Sequence, residues 1–317
     1  MVANTTTEIS VKGKWVEVAA VAIRDRTVVT SGRWIKIAAI HDERWLESKL
    51  EDPESYIRNL KELHSQGFKA DIFSFGQDLS DGKPKFPYHT EWDSVAAIRI
   101  SSFEQWWKRL PTETQRNVRT STKRGLVVKI QDFNDDLVRG IVEINNESPM
   151  RQGKPFWHYG KDFETVRKDY ASFTERSQYI GAYFQEELIG FMKIVYVGRV
   201  AAIMQNMSKL NHRDKKPANA MIAKAVELCE KKNLSFLTYY QYRYGKKQES
   251  PLTEFKRRNG FEEILTPRFY VPLTVKGRVA LASGLHRPLA EILPGRLVEA
   301  LLPLRTKWYD WRHGKRV

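Results

Sequence analysis

Residues 251–261 read PLTEFKRRNGF, and residues 262–274 continue EEILTPRFYVPLT. Ser250 can accept a hydrogen bond from the first turn of a helix, and Pro251 suits the first helical position, where its missing N–H costs nothing. Gly260 suits the left-handed residue that follows a helix C-terminus, and Phe261 can fold back on Phe255. Ile264, Phe269 and Val271 then give a strand pattern, interrupted by Pro267. The stretch predicts a charged helix of about two turns feeding a strand.

Working outward, KKPANAMIAKAVELCEKKN (215–233) carries Met221, Ile222, Ala225, Val226 and Cys229 at helical spacing, so it predicts an amphipathic helix. It is preceded by three antiparallel strands in 178–210, with turns near Glu186 and Gly198, and followed by a strand at 234–242. Two more helices are predicted in 134–149 and 162–177, joined by a loop, and a strand follows Gly125. From Leu126 onward the order is strand, helix, helix, three strands, helix, strand, helix, strand. Before it, residues 15–40 read as strands, 52–68 as a helix begun by Asp52-Pro53, and 69–75 and 94–100 as strands. Residues 101–124 form a helix, a proline break and a second, basic helix. The segments are thus a loose tail (1–12), a first α/β unit (13–101), a linker helix with a larger α/β unit (102–275) and a basic amphipathic helical tail (276–317).

The bulk numbers set limits. A chain of 317 residues has room for two domains, and 41% hydrophobic residues suffice for ordinary cores. One cysteine, Cys229, excludes an intrachain disulfide and fits a reducing compartment. No segment reaches the roughly 20 apolar residues that span a bilayer. The start MVANTTTEIS lacks the features of a signal peptide, so a cytoplasmic protein is expected. A net charge of +15 points to anionic partners: phosphates, nucleic acid or an acidic membrane face. The seven histidines are scattered, which predicts no metal site, and there is no phosphate-binding glycine loop or nucleophile elbow.

The order of elements from Leu126 resembles the GNAT acyltransferase fold, whose last helix typically ends in an aromatic–x–x–x–x–Gly-Phe pattern, as Phe255 to Phe261 does here. The linker FEQWWKRLPTETQRNVRTSTKRG (103–125) and LTEFKRRNGF (252–261) further resemble Fem-type aminoacyl transferases, in which a reduced GNAT-like half leads into a complete one. The resemblance covers residues 15–275. It implies a mixed α/β fold of tandem GNAT-like halves, the first reduced, with a C-terminal helical tail. It also implies an N-acyltransferase that moves an acyl or aminoacyl group from a phosphate-bearing carrier to an amine acceptor, in a setting such as cell-envelope or polysaccharide metabolism. Acyl-CoA, an acyl carrier and aminoacyl-tRNA all stay open as donor; no metal or covalently bound cofactor is expected. The long coiled-coil insertion of some Fem-type enzymes is absent.

The resemblance also implies site residues. The donor would lie at the strand end MQNMSKL, near Asn206, Met207 and Ser208. Its phosphates would meet the turn HRDKKPANA, where Arg213, Lys215, Lys216 and Asn219 stand in for the glycines usual in GNAT domains and Pro217 cannot donate an N–H. Lys256 is placed to stabilise an oxyanion or phosphate, with Ser208 and Tyr244 as further catalytic candidates. In the loop MRQGKPFWHYGKD, Arg151 could clamp a carboxylate or phosphate, Trp157 and Tyr159 could stack on the acceptor, and His158 could serve as base. Arg243 could line the same cleft. Two other readings stay open: a catalytically inactive GNAT-like scaffold of an envelope-biosynthesis assembly, suggested by the missing glycines, and a basic nucleic-acid-binding protein. Among nucleic acids only tRNA fits the resemblance. The tail, with nine Lys/Arg against three Asp/Glu in 276–317, could hold the protein peripherally on an anionic membrane surface.

Overall fold

A computed structural model of the chain describes residues 5–11, 13–79, 82–243 and 250–287. The first half contributes β1 (Thr5–Val11), β2 (Lys14–Ile23), β3 (Arg26–Ser31), β4 (Ile37–Ile40), α1 (Pro53–Ser65), β5 (Ile72–Gly76) and β6 (His89–Arg99). The linker forms α2 (Phe103–Arg109) and α3 (Thr112–Lys123). The second half contributes β7 (Val127–Gln131), α4 (Asp135–Asn146), the short pair β8 (Met150–Arg151) and β9 (Lys154–Pro155), and α5 (Phe163–Tyr170). It continues with β10 (Ser177–Phe184), β11 (Glu187–Val197), β12 (Val200–Ser208), α6 (Pro217–Lys231), β13 (Phe236–Gln241), α7 (Pro251–Arg258) and β14 (Glu262–Pro272), and α8 (Val275–Ala282) follows.

Twelve strands form one sheet in the order β1-β2-β3-β4-β5-β14-β6-β13-β12-β11-β10-β7. Each half has the same plan. An antiparallel meander ends in a parallel pair joined by a crossover helix: β4–α1–β5 in the first half and β12–α6–β13 in the second. A last strand then closes each half, and the two are exchanged. β14, from the end of the second half, pairs with β5, while β6, from the end of the first, pairs with β13. The exchanged strands pair with each other at the centre, from Glu262↔Ala97 to Tyr270↔His89. The first half lacks counterparts of α4 and α5, and is reduced in that sense.

The local reasons are those in the sequence. Ser250 Oγ accepts the Thr253 N–H at 3.0 Å to start α7, and Gly260 ends it at φ +84°. A Cβ on Gly260 would fall 2.8 Å from Trp106 Nε1, so the position demands glycine on contact as well as on conformation. α6 buries Met221, Ile222 and Val226 completely against the second half's sheet, each side chain contributing about 1.5–3 kcal/mol relative to exposure. α1 does the same for the first half, laying Tyr56, Ile57, Leu60 and Leu63 on Phe73, Phe75 and Phe269.

One expectation changes. Residues 5–11 are not a loose tail; they pair with β2 from Thr5↔Ala20 to Val11↔Lys14. The Thr-rich segment has too little apolar content to announce a strand, but its β-branched residues fit one once a partner edge is present. The hairpin of β1 and β2 also reaches α5 of the second half, with Trp15 Nε1 donating to Asp169 at 3.0 Å and Lys168 to Glu8 at 2.8 Å. At the start of the basic tail, α8 is docked on the first half and seats Gly277 so close to Asp71 that a Cβ would lie 1.9 Å from its carbonyl oxygen. Residues 288–317, the rest of that tail, lie outside the described residues.

Candidate functional site

Strands β12 and β13 pair only from Val200↔Phe236 to Ala202↔Thr238, although both run on. Past that point each limb carries an extra residue. On β12 the register against β11 shifts between Ile203 and Gln205, leaving Met204 as a bulge. On β13 the register against β6 shifts between Thr238 and Gln241, and Tyr240 adopts φ 52°. The limbs therefore diverge, and backbone groups of β12 that face the gap lose their ladder partners.

A cation ties down each limb. Arg151 donates to the Ser208 carbonyl at the end of β12 and to the Ile144 carbonyl of α4, both at 2.8 Å. It lies 3.6 Å from Glu147 and stacks over Phe156. Lys256, on α7, is fully buried and donates to the Tyr239 and Gln241 carbonyls, both at 2.6 Å, at the end of β13. Burial, helped by the charge of Arg44, pushes its pKa down from 10.5 to about 7. Arg151 and Lys256 thus stand on opposite limbs of the divergence.

The donor candidates gather near the β12 limb. Ser208 lies opposite Gly190 of β11, and Met207 packs against the core under α4 and α5. Asn206 keeps a buried Oδ1 without a partner among the described residues. Lys216 precedes α6 in the left-handed region without a side-chain cap, so the first N–H groups of that helix have no side-chain acceptor there. Lys215 lies 3.5 Å from Asp214 and over the Phe184 ring, and Arg213 opens the same turn. Asn219 instead bonds Asn259 at 2.9 Å, clamping α6 to the end of α7.

The acceptor candidates are more dispersed. Trp157 is 60% exposed and Tyr159 47%, which leaves both rings open to a ligand. His158 is enclosed between Phe156 and Tyr170. Burial and then the charge of Lys161 hold its pKa down at about 4, so the ring is neutral at ordinary pH. Arg243 forms a two-pronged pair with Glu263, at 2.9 and 2.5 Å. Tyr244 lies outside the described residues.

A cavity of about 270 Å³ opens on the face of the sheet opposite α6, beside the divergence. Thr238, Tyr240 and Gln241 of β13, Asp93 of β6, Arg268 of β14 and the segment from Glu43 to Lys49 line it. Arg268 is held by Asp93 at 2.7 Å and Glu43 at 3.2 Å, and the Arg44 guanidinium lies 3.9 Å from the Tyr240 ring centre. Burial alone would lower the pKa of Arg268; the two carboxylates outweigh it and raise the value. Burial likewise lowers the pKa of Lys49. Sequence reasoning missed these residues. The available signal was charge on strands that also contribute to the core: Asp93 just before VAAI, and Arg268 just before FYV.

By sequence, the chain matches no family model and no curated relative. By structure, it is similar to FemX, with TM-score 0.53 at 9% identity over 89% of this chain and 90% of that one. The C-terminal domain assigned to a lysylphosphatidylglycerol synthetase from Agrobacterium fabrum gives 0.53 at 10% identity, over 81% and 84%. L-PGS from Bacillus licheniformis gives 0.51 at 10% identity, over 81% and 84%. Identities this low speak for the backbone alone, and the backbone is the tandem GNAT-like fold with a reduced first half that the Fem-type resemblance implied.

Proposed function

We propose that the protein transfers an acyl or aminoacyl group from a phosphate-bearing carrier to an amine. The observation that carries this reading is the divergence of β12 and β13, with a bulge on each limb and a cavity beside it. Backbone N–H groups freed from the ladder are suited to hold the oxygen of a thioester or ester carbonyl as it becomes an oxyanion. The acceptor nitrogen attacks the carbonyl carbon, the amide C–N bond forms, and the C–S or C–O bond to the carrier breaks. The proton lost by the amine leaves with the thiol or hydroxyl of the carrier. At about 270 Å³ the cavity is just below the usual range of roughly 300–1,000 Å³ for ligand sites, which suits the transferred group rather than a whole carrier.

On this reading the carrier's phosphates meet Arg213, Lys215, Lys216 and the uncapped start of α6, with Asn206, Met207 and Asn219 around the donor. Lys256 and Ser208 act at the limb ends, Tyr244 with them, and Arg151, Trp157, Tyr159 and Arg243 receive the acceptor. Acyl-CoA and aminoacyl-tRNA are the two donors to test, by incubating the full chain with each and an amine mixture and following the transferred mass. Amide products that depend on one donor support the reading. If neither donor is bound or consumed, it fails.

A peripheral position on an anionic lipid surface belongs to the same proposal. Trp34 is 78% exposed, Val275 75% and Val279 61%, and Lys276 donates to the Trp34 carbonyl. Arg33, Lys36, Lys276 and Arg278 lie in the same two segments, 31–37 and 273–287, which contain no carboxylate of their own, and Lys276 also pairs with Asp71 at 3.2 Å. Exposed apolar residues interspersed with cations suit the boundary between headgroups and acyl chains. Among the described residues no helix is long and apolar enough to cross a membrane.

A further inference from the structure

We propose that His89, Glu91 and His286 form a binding site for one divalent transition-metal ion of the zinc class. His89 and Glu91 are two positions apart on β6 and so share a face of the sheet. His286 arrives from beyond α8, whose close seat on Asp71 fixes where the chain turns back. The Nε2 atoms of both histidines converge on one oxygen, Glu91 Oε1, at 2.7 Å from His286 and 3.5 Å from His89. The three ligand atoms lie within 4.8 Å of one another.

Two imidazole nitrogens and a carboxylate form the donor set that suits zinc and its neighbours, and it disfavours calcium and magnesium, which take oxygen. Ligand atoms about 2.0–2.1 Å from a tetrahedral centre stand about 3.3 Å apart, and the two pairs with Glu91, at 2.7 and 3.5 Å, bracket that spacing. The burial is graded. His286 is 8% exposed, whereas the His89 side chain is 44% exposed, which leaves a way in and an open coordination position.

The competing reading is a clasp that merely pins residues 286–287 to the sheet. Arg287 Nε also reaches Glu91 Oε1, at 2.9 Å. One feature favours the ion: a clasp needs one histidine, yet a second imidazole faces the same oxygen from beyond good hydrogen-bonding distance. The site lies on the cavity's side of the sheet, since Glu91 and Asp93 alternate along β6 and Glu91 sits opposite Arg268. Nothing in it depends on the transfer chemistry proposed above.

The test is a cobalt(II) titration of the full chain, read by visible ligand-field absorption and by displacement with zinc. One equivalent should bind. His89→Ala, at an exposed side chain that the fold can spare, and Glu91→Gln should each weaken binding at least about tenfold. Arg287→Gln, which removes the competing cation, should bind as tightly as the parent or more tightly. The proposal is overturned by no saturable binding below roughly 10 μM, by parent-like binding in either ligand variant, or by weaker binding in Arg287→Gln.

Discussion

Lys256 Nζ lies 2.6 Å from the carbonyl oxygen of Gln241, so the end of one sheet strand hangs from a lysine of the following helix. Replacing Lys256 with Met keeps the apolar stem and removes the ammonium donor from two part-buried carbonyls. We expect a loss of about 1–3 kcal/mol in urea denaturation, together with loss of transfer activity. The pH dependence has a definite sign. The folded pKa, about 7, lies below the ordinary 10.5, so between these values the unfolded chain binds the extra proton. Relative to Lys256→Met, the parent should gain stability as pH rises from about 7 towards 10.5. A constant difference across that range would show that Lys256 does not titrate as described.

Arg268 joins Glu43 and Asp93 across the cavity. Arg268→Met would leave two carboxylates facing each other with no cation between them. A fully buried pair would lose about 3–5 kcal/mol on such a change; partial exposure here reduces the expected loss to about 2 kcal/mol. Chemical denaturation measures it, and a change under about 0.5 kcal/mol would mean that the three side chains are solvated independently.

The turn before α6 should govern the donor and little else. Combined Arg213→Glu, Lys215→Glu and Lys216→Glu should raise KM for a phosphate-bearing donor at least tenfold and steepen nothing in the acceptor dependence. Thermal melting should change by only a few degrees, since all three lie in a turn and none is buried. An unchanged donor KM would remove this turn from the site.

Flotation with vesicles tests the lipid-facing patch. The full chain should float with phosphatidylserine-rich vesicles and less with neutral ones, and salt should weaken the association. Trp34→Ser with Val279→Ser should reduce flotation several-fold. Equal flotation on both vesicle types, or by parent and variant alike, would dismiss the patch.

Much of the fold was legible because its signals are local. Ser250, Pro251 and Gly260 bound α7 without reference to anything distant, and the period of α6 shows in its apolar residues. The site was legible only in part. Lys256 stands in a row with Arg257 and Arg258, and nothing in charge alone says that it is the buried one. The available hint was spacing: Thr253, Lys256 and Asn259 fall three apart and are all buried, a polar stripe on an inward face. The cavity was not legible, because Arg268 and Glu43 are 225 positions apart and meet only through the exchange of the last strands. Which strand pairs with which is set by the whole sheet, and no local pattern encodes it.

That exchange has a consequence for synthesis. A ribosome delivers β5 long before β14, the strand that covers its edge. Until residues 262–272 emerge, the newborn first half carries an open strand bearing Phe73 and Phe75, a template for pairing with neighbouring chains. Folding of this half on the ribosome must therefore wait until β14 has emerged. A stop codon placed after residue 101 should yield aggregates rather than a small soluble domain.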